Sequence, residues 1–220
     1  MSILELREAR VSVGPRVLLS DANLSLEGGQ CVAVMGPSGS GKSTLLQTIA
    51  GIRVPSPGEV FVEGQDLAQL SPVARDHLRL SRMGMVFQFG EVLPELSAIE
   101  NVALPSRYLG VKRATAHERG RHWLDDLGLA EFRDAHPDQM SGGQIQRVAI
   151  ARAMAHGPRL VLADEPTGML DGTTSRDVIQ LLIDCVRSAG AALVIVTHDQ
   201  AAASASDRVL TLDDGRLAAA

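Results

Sequence analysis

Cysteine is nearly absent from this chain: two residues, Cys31 and Cys185, among 220. They lie far apart and in no metal-binding or redox spacing, which leaves neither a disulfide framework nor a thiolate metal site. Both read as buried small apolar side chains. Aromatic residues make up only 3% of the chain, and none stands before Phe61. Basic excess is missing as well. A formal net charge of −5 gives no broad positive field of the kind that binds nucleic acid. No apolar run approaches the roughly 18 residues that cross a bilayer, and the run at 191–196 is strand-sized. The opening MSILELREAR is charged early and lacks the apolar core of a signal peptide. These absences predict a cytoplasmic chain that touches a membrane only through another protein.

What is present is an ordinary globular composition, 45% hydrophobic and 21% charged, in a length that suits one domain or one domain with an inserted lobe. The most informative stretch is 31–51. Apolar residues 32–35 read as a short buried strand. Gly36, Pro37, Ser38, Gly39, Ser40, Gly41, Lys42, Ser43 and Thr44 follow and fit G-x-x-x-x-G-K-[ST]. Leu45, Leu46 and Ile49 then recur at helical spacing, and Gly51 is placed to stop the helix. Strand, glycine loop and helix are the context this motif needs in order to bind phosphate. Its glycines let backbone N–H groups turn inward around a polyphosphate at a helix N-terminus. Lys42 can reach the β- and γ-phosphates, and the Ser43 hydroxyl suits Mg²⁺.

Short strands are predicted at 3–4, 11–13, 17–19, 24–26, 59–62, 83–89, 160–163, 192–196 and 209–212. Ser71-Pro72 opens a helix towards Leu80. From about 90 to 157 the period is mainly helical, with a capping box at Ser97 and Glu100 and helices over 115–127 and 144–156. A further helix is predicted over 174–188. Residues 201–205 and 218–220 read as alanine-rich tracts, the latter prone to fray. The pattern is α/β: a parallel-sheet core over 1–89 and 158–220, with an antiparallel β edge region, interrupted by a helical lobe over 90–157.

Three further features carry chemistry. The strand at 160–163 runs into Asp164 and Glu165, at the carboxyl end of a parallel strand where such sheets bind ligands. Asp164 suits a Mg²⁺ contact through water, and Glu165 faces the position where it can polarise an attacking water. Ser141, Gly142, Gly143 and Gln144 stand at the start of a helix and make a second candidate anion site; alone, they are better explained as an N-cap with flexible glycines. His198 follows the strand at 192–196. It is the one histidine at a strand's carboxyl end, and the others read as surface residues, with a local structural role open for His136.

In this order the motifs resemble the nucleotide-binding subunit of an ABC (ATP-binding cassette) transporter, over essentially the whole chain. Residues 36–44 match the Walker A loop and 160–165 the Walker B strand of a P-loop NTPase (RecA-like) core. Gln88 matches the Q-loop, 140–144 the signature, Leu170-Asp171 the D-loop and His198 the switch histidine. The resemblance implies a Mg²⁺-dependent ATPase. It implies a head-to-tail homodimer, or a cassette heterodimer, that sandwiches two ATP molecules, with each signature loop facing the other copy's Walker A loop. It further implies that Glu165 and His198 position water and that Gln88 contacts Mg²⁺ or water. Asp171 would reach across the dimer, although it serves equally as a helix cap.

The sequence departs from the family in three places. Met140 stands for the usual leucine, and Met169 for a small or polar residue. The aromatic residue that stacks on adenine is missing, with Val13 at its position, so the base is expected to meet Val13, Arg10 or Arg16 and ATP to be poorly told from GTP. The stretches 87–105 and 162–168 are similar to the lipoprotein-release and macrolide-export group, whose members drive a separate transmembrane permease subunit in export or extraction. Docking of that partner is expected near Phe89, Val92, Leu93, Leu96 and Tyr108, and the basic residues Arg107, Lys112, Arg113, Arg119 and Arg121 read as a solvated helix face. The alternative is a soluble cassette ATPase serving a non-transport scaffold or assembly system.

Overall fold

The computed structural model describes residues 2–88, 90–168 and 170–219; Phe89 and Met169 lie outside the described residues. Two sheets share one helix between them. A four-stranded antiparallel sheet contains β1 (Ser2–Val13), β2 (Arg16–Glu27), β4 (Glu59–Val62) and β5 (Gln65–Asp66), in the order β2-β1-β4-β5. The second sheet has six strands in the order β10-β9-β3-β8-β7-β6. Its strands are β3 (Cys31–Met35), β6 (Met83–Val86), β7 (Leu160–Asp164), β8 (Ala192–Val196), β9 (Arg208–Asp213) and β10 (Arg216–Ala219). All neighbours in it are parallel except the β9–β10 pair.

The central strands are buried on both faces, which is why they read as unbroken apolar runs. Val32, Val34, Leu162 and Val194 face α1 (Lys42–Ile49) and the antiparallel sheet, whereas Val161, Ala163, Leu193 and Ile195 face the opposite layer. That layer holds α5 (Gly142–Met154) and α6 (Gly172–Ser188), and its apolar cluster runs on without a break into α3 (Ala98–Tyr108) and α4 (Arg113–Asp126). The helical segment therefore shares its core with the sheet. The basic residues of α3 and α4 are exposed, as expected of a solvated face. Both cysteines are buried and free, and burial pushes each thiol up to about 11.

Several local expectations change. The four short segments predicted before residue 27 form two long strands, because bulges absorb the polar interruptions. Glu8 and Asp21 take left-handed φ of 48° and 52° at register shifts, and the Glu8 N–H donates to Asn23 Oδ1 at 3.0 Å. Strand β6 ends at Val86, three residues before the predicted end. The alanine-rich end does not fray within the described residues: β10 pairs with β9, and Leu217 packs on the core. The tract at 201–205 lies in a short helix, α7 (Gln200–Ala205), capped by Asp199.

Helix α5 starts two residues earlier than predicted, because the Ser141 hydroxyl accepts from the Gln144 N–H and draws Gly142 and Gly143 into its first turn. It also ends two residues earlier, which leaves His156 half-buried in the closing turn and not on the surface. There its Nε2 lies 3.1 Å from the Met83 carbonyl, and burial lowers the imidazole pKa.

Candidate nucleotide site

The ends of β3, β7 and β8 lie side by side, and each delivers one part of the site. After β3 the chain turns through residues 36–41 into α1. Two glycines there are required sterically. A Cβ on Gly36 would sit 2.3 Å from the Leu212 carbonyl oxygen, and one on Gly41 would sit 2.5 Å from that of Leu18. Gly41 also takes φ 106° as the N-cap of α1, so the helix has no side-chain cap and no acidic residue in its first turn. Its N-terminal N–H groups and positive dipole end are thus not neutralised by the side chains of its own first turn. The Lys42 ammonium folds back over the loop and donates to the carbonyls of Gly36 at 2.7 Å and Pro37 at 3.1 Å. Ser40 Oγ is buried with no hydrogen-bond partner among the described residues.

Strand β7 presents Asp164 to the cavity that Ser43 also lines. Burial raises the Asp164 pKa above the usual carboxylate range; the Ser43 hydroxyl opposes that shift and the charge of Glu165 adds to it. Glu165 follows with φ 46°, a conformation uncommon outside glycine. Its N–H is held by the Val196 carbonyl at 2.9 Å. The two residues that follow β8 then supply three contacts to the Glu165 carboxylate. The Thr197 hydroxyl donates at 3.0 Å, the His198 N–H donates at 3.3 Å, and His198 Nδ1 lies 3.0 Å away.

These parts surround an open cavity of about 580 Å³ lined by Arg16, Leu18, Ser38, Gly39, Gly41, Lys42, Ser43, Thr44, Phe87, Gln88, Glu91, Asp164 and Glu165. Gly36, Pro37 and Ser40 are not among the lining residues, and His198 joins through Glu165. Ser141 to Gln144 do not line the cavity. Ser141 and Gln144 form a reciprocal capping box, the Ser141 N–H donating to Gln144 Oε1 at 2.7 Å and Ser141 Oγ accepting from the Gln144 N–H at 3.3 Å. Asp171 caps α6, accepting from the N–H groups of Thr173 and Thr174 and from the Thr174 hydroxyl at 2.8 Å. Those bonds, chiefly the Thr174 N–H, hold its carboxyl below the usual range. Val13 sits at the end of β1, 51% exposed, and is not among the lining residues; Arg16, opposite it in the β1–β2 pair, is. Arg10 does not line the cavity either.

No cluster of three or more His, Cys, Asp or Glu side chains able to hold a metal exists among the described residues. The site instead offers two adjacent oxygen donors, Ser43 and a half-buried, incompletely compensated Asp164. That donor set fits Mg²⁺, which keeps several waters and takes its remaining oxygens from phosphates.

Across residues 19–168 the sequence matches the ABC transporter family. The chain belongs to that family. Among its relatives are a lipoprotein-releasing system ATP-binding protein LolD of Hyphomonas neptunium, 44% identical, and LolD 2 of Caulobacter vibrioides, 46% identical; each alignment covers 96% of this chain and 92% of the relative. Among solved structures, the dimeric ATP-binding cassette MJ0796 bound to ADP and Pi superposes with a TM-score of 0.85 at 36% identity, over 97% of this chain and 96% of that one. The chain is thus an ABC ATPase cassette, with ATP as its substrate and Mg²⁺ as the metal of its chemistry. Sequence reasoning missed the cassette's Leu18, Phe87 and Glu91 on the cavity wall and Thr197 behind Glu165. Only Thr197 left a signal, as the first polar residue after the apolar run of β8.

Proposed function

We propose that this cassette is the ATP-hydrolysing subunit of a membrane export or extraction complex, and that two copies close head to tail over two ATP molecules to drive a separate transmembrane subunit. The observation that carries the reading is the division of the site. The phosphate loop and Glu165, with His198 bonded to it, belong to one cavity, while the glycine-tipped N-terminus of α5, capped by Ser141, is not part of its lining. A second copy brings Ser141, Gly142, Gly143 and Gln144 to the triphosphate as a further set of N–H donors, and Asp171 accompanies them at the same seam. The relatives' names, lipoprotein-releasing system proteins, favour extraction of a lipidated cargo chosen by the membrane partner.

Lys42 moves from the loop carbonyls to the phosphates, where the loop N–H groups also converge. Ser43 and Asp164, with Gln88 beside them, would hold Mg²⁺, which would supply positive charge to the phosphate oxygens. Glu165 takes a proton from the water that attacks the γ-phosphorus. The bond to the bridging oxygen breaks, and ADP and phosphate remain. His198 holds the Glu165 carboxylate and meets the γ-phosphate. Replacing Glu165→Gln removes the base while leaving the charge on the phosphates bound. We predict a stable ATP-bound dimer, seen by gel filtration, with turnover reduced at least about a hundredfold. Rapid hydrolysis by this variant would reject the assignment.

At the base end, Arg16 and Leu18 take the place of the missing aromatic ring. A guanidinium plane stacks on any base without reading its edge. ATP and GTP are expected to bind within about threefold of one another, a difference below 1 kcal/mol, in competition with a fluorescent nucleotide. A strong preference for ATP would contradict this.

Docking of the transmembrane subunit fits a groove of about 380 Å³ that opens between α2 (Pro72–Arg82), β6 and the helical segment, lined by Leu80, Met83, Met85, Phe87, Pro105 and Arg152 among others. The groove begins one residue before Gln88, so a segment seated in it bears directly on the nucleotide cavity. Of the residues expected at the dock, Leu93 and Tyr108 are exposed, 44% and 74%, while Val92 packs on the core. Phe89 lies outside the described residues. Met85→Glu places a charge in this groove. The variant is expected to keep basal ATPase and lose stimulation by the reconstituted membrane subunit; full stimulation would remove the groove from the account.

A further inference from the structure

The Glu165 carboxylate does not rest on His198 alone. Thr197, 1% exposed, lies between the acid and the loop that follows β8. Its hydroxyl donates to Glu165 Oε2 at 3.0 Å and accepts from the Asp199 N–H at 3.0 Å. A hydroxyl has one proton, and an ionised carboxylate accepts only, so the direction of both bonds is fixed by chemistry. Asp199 is in turn anchored twice: Oδ1 accepts from the Ala201 N–H at 2.8 Å, and Oδ2 accepts from the Thr167 hydroxyl at 3.0 Å. Thr167 is itself buried, 4% exposed, in the segment that begins at Glu165. The two loops that carry Glu165 and His198 are therefore fastened together by two buried threonine hydroxyls, with Asp199 as the common post.

We propose that Thr197 is the positioning residue for hydrolysis. Its hydroxyl fixes the rotamer of the Glu165 side chain, so that the carboxylate faces the γ-phosphate end of the cavity, and it does so without touching nucleotide. The proposal rests on the reading of Glu165 as the base. It differs from that reading in assigning the orientation of the acid to a side chain outside the six family motifs. His198 also meets the carboxylate, but through a ring that is 74% exposed. Thr197 is buried, and its hydroxyl is satisfied on both sides.

The test is steady-state ATPase kinetics on the full chain. Thr197→Val keeps the volume and removes the hydroxyl. It should lower kcat at least about tenfold and leave KM within about twofold, the pattern of a loss felt only in the transition state. Thr197→Ser should recover most of the rate. Thr197→Ala and Thr197→Ser lose the same methyl group and differ by one oxygen, so their rate ratio reports the hydroxyl even if valine is not accommodated. Glu165→Gln/Thr197→Val should be no slower than Glu165→Gln alone, because a positioning residue has nothing left to position. A wild-type kcat in Thr197→Val, equal rates for the Ala and Ser variants, or a double variant slowed by the product of the two single effects would each overturn the proposal. Undiminished turnover in Glu165→Gln alone would instead fault the assignment of the base.

Discussion

Three parallel strands end at one level, and the rest of the molecule depends on that alignment. The Thr197 N–H bonds to the Val34 carbonyl, and the Glu165 N–H bonds to the Val196 carbonyl. The sheet's own hydrogen bonding thus runs past the last strand residues and sets the phosphate loop, the acid pair and the Thr-His-Asp turn in one crevice. Ligands of open parallel sheets bind at such a crevice because loops there are free of the ladder while their roots are fixed. The doubly buried central strands make the roots stiff. The loops can then hold costly features: an unneutralised helix N-terminus, a desolvated aspartate and a glutamate at positive φ. Bound nucleotide and metal relieve the first two.

In the proposed reading, the second half of the anion-binding machinery lies elsewhere. Helix α5 begins at a second glycine-rich turn, where the Ser141 hydroxyl caps the Gln144 N–H and Gly142 and Gly143 carry the first two N–H groups of the helix. On the proposed reading, closure of two copies uses the triphosphate as a bridge, and two protomers each of charge −5 repel weakly without it. The apolar cluster that joins α3, α4 and α5 to the sheet ties the position of that second turn to events at the cavity.

Much of this was legible in the sequence because the signals are local. The glycine loop, the acids that end an apolar run, the Ser97 capping box and the Ser141 N-cap each lie within a few residues. What escaped depends on long-range pairing. Strands β1 and β2 look fragmented until bulges at Glu8 and Asp21 let polar residues sit in a continuous ladder. Strand β10 has no apolar pattern of its own beyond Leu217, and exists because β9 offers it an edge. Arg16 and Val13 were both candidates for the base. The two face each other across the hairpin, and only the folded cavity shows that Arg16 belongs to its wall and Val13 does not. The Thr167–Asp199 bridge spans 32 positions, and no spacing rule connects them.

The central claim is that a complete site needs the α5 tip of one copy over the phosphate loop of another. Cysteines placed by Ser38→Cys and Ser141→Cys in the Glu165→Gln background test it through a short thiol cross-linker. The account predicts covalent dimer in Mg-ATP and little in ADP or without nucleotide, with neither single cysteine sufficing. Equal cross-linking with and without ATP, or none under any condition while ATP stays bound, would contradict it.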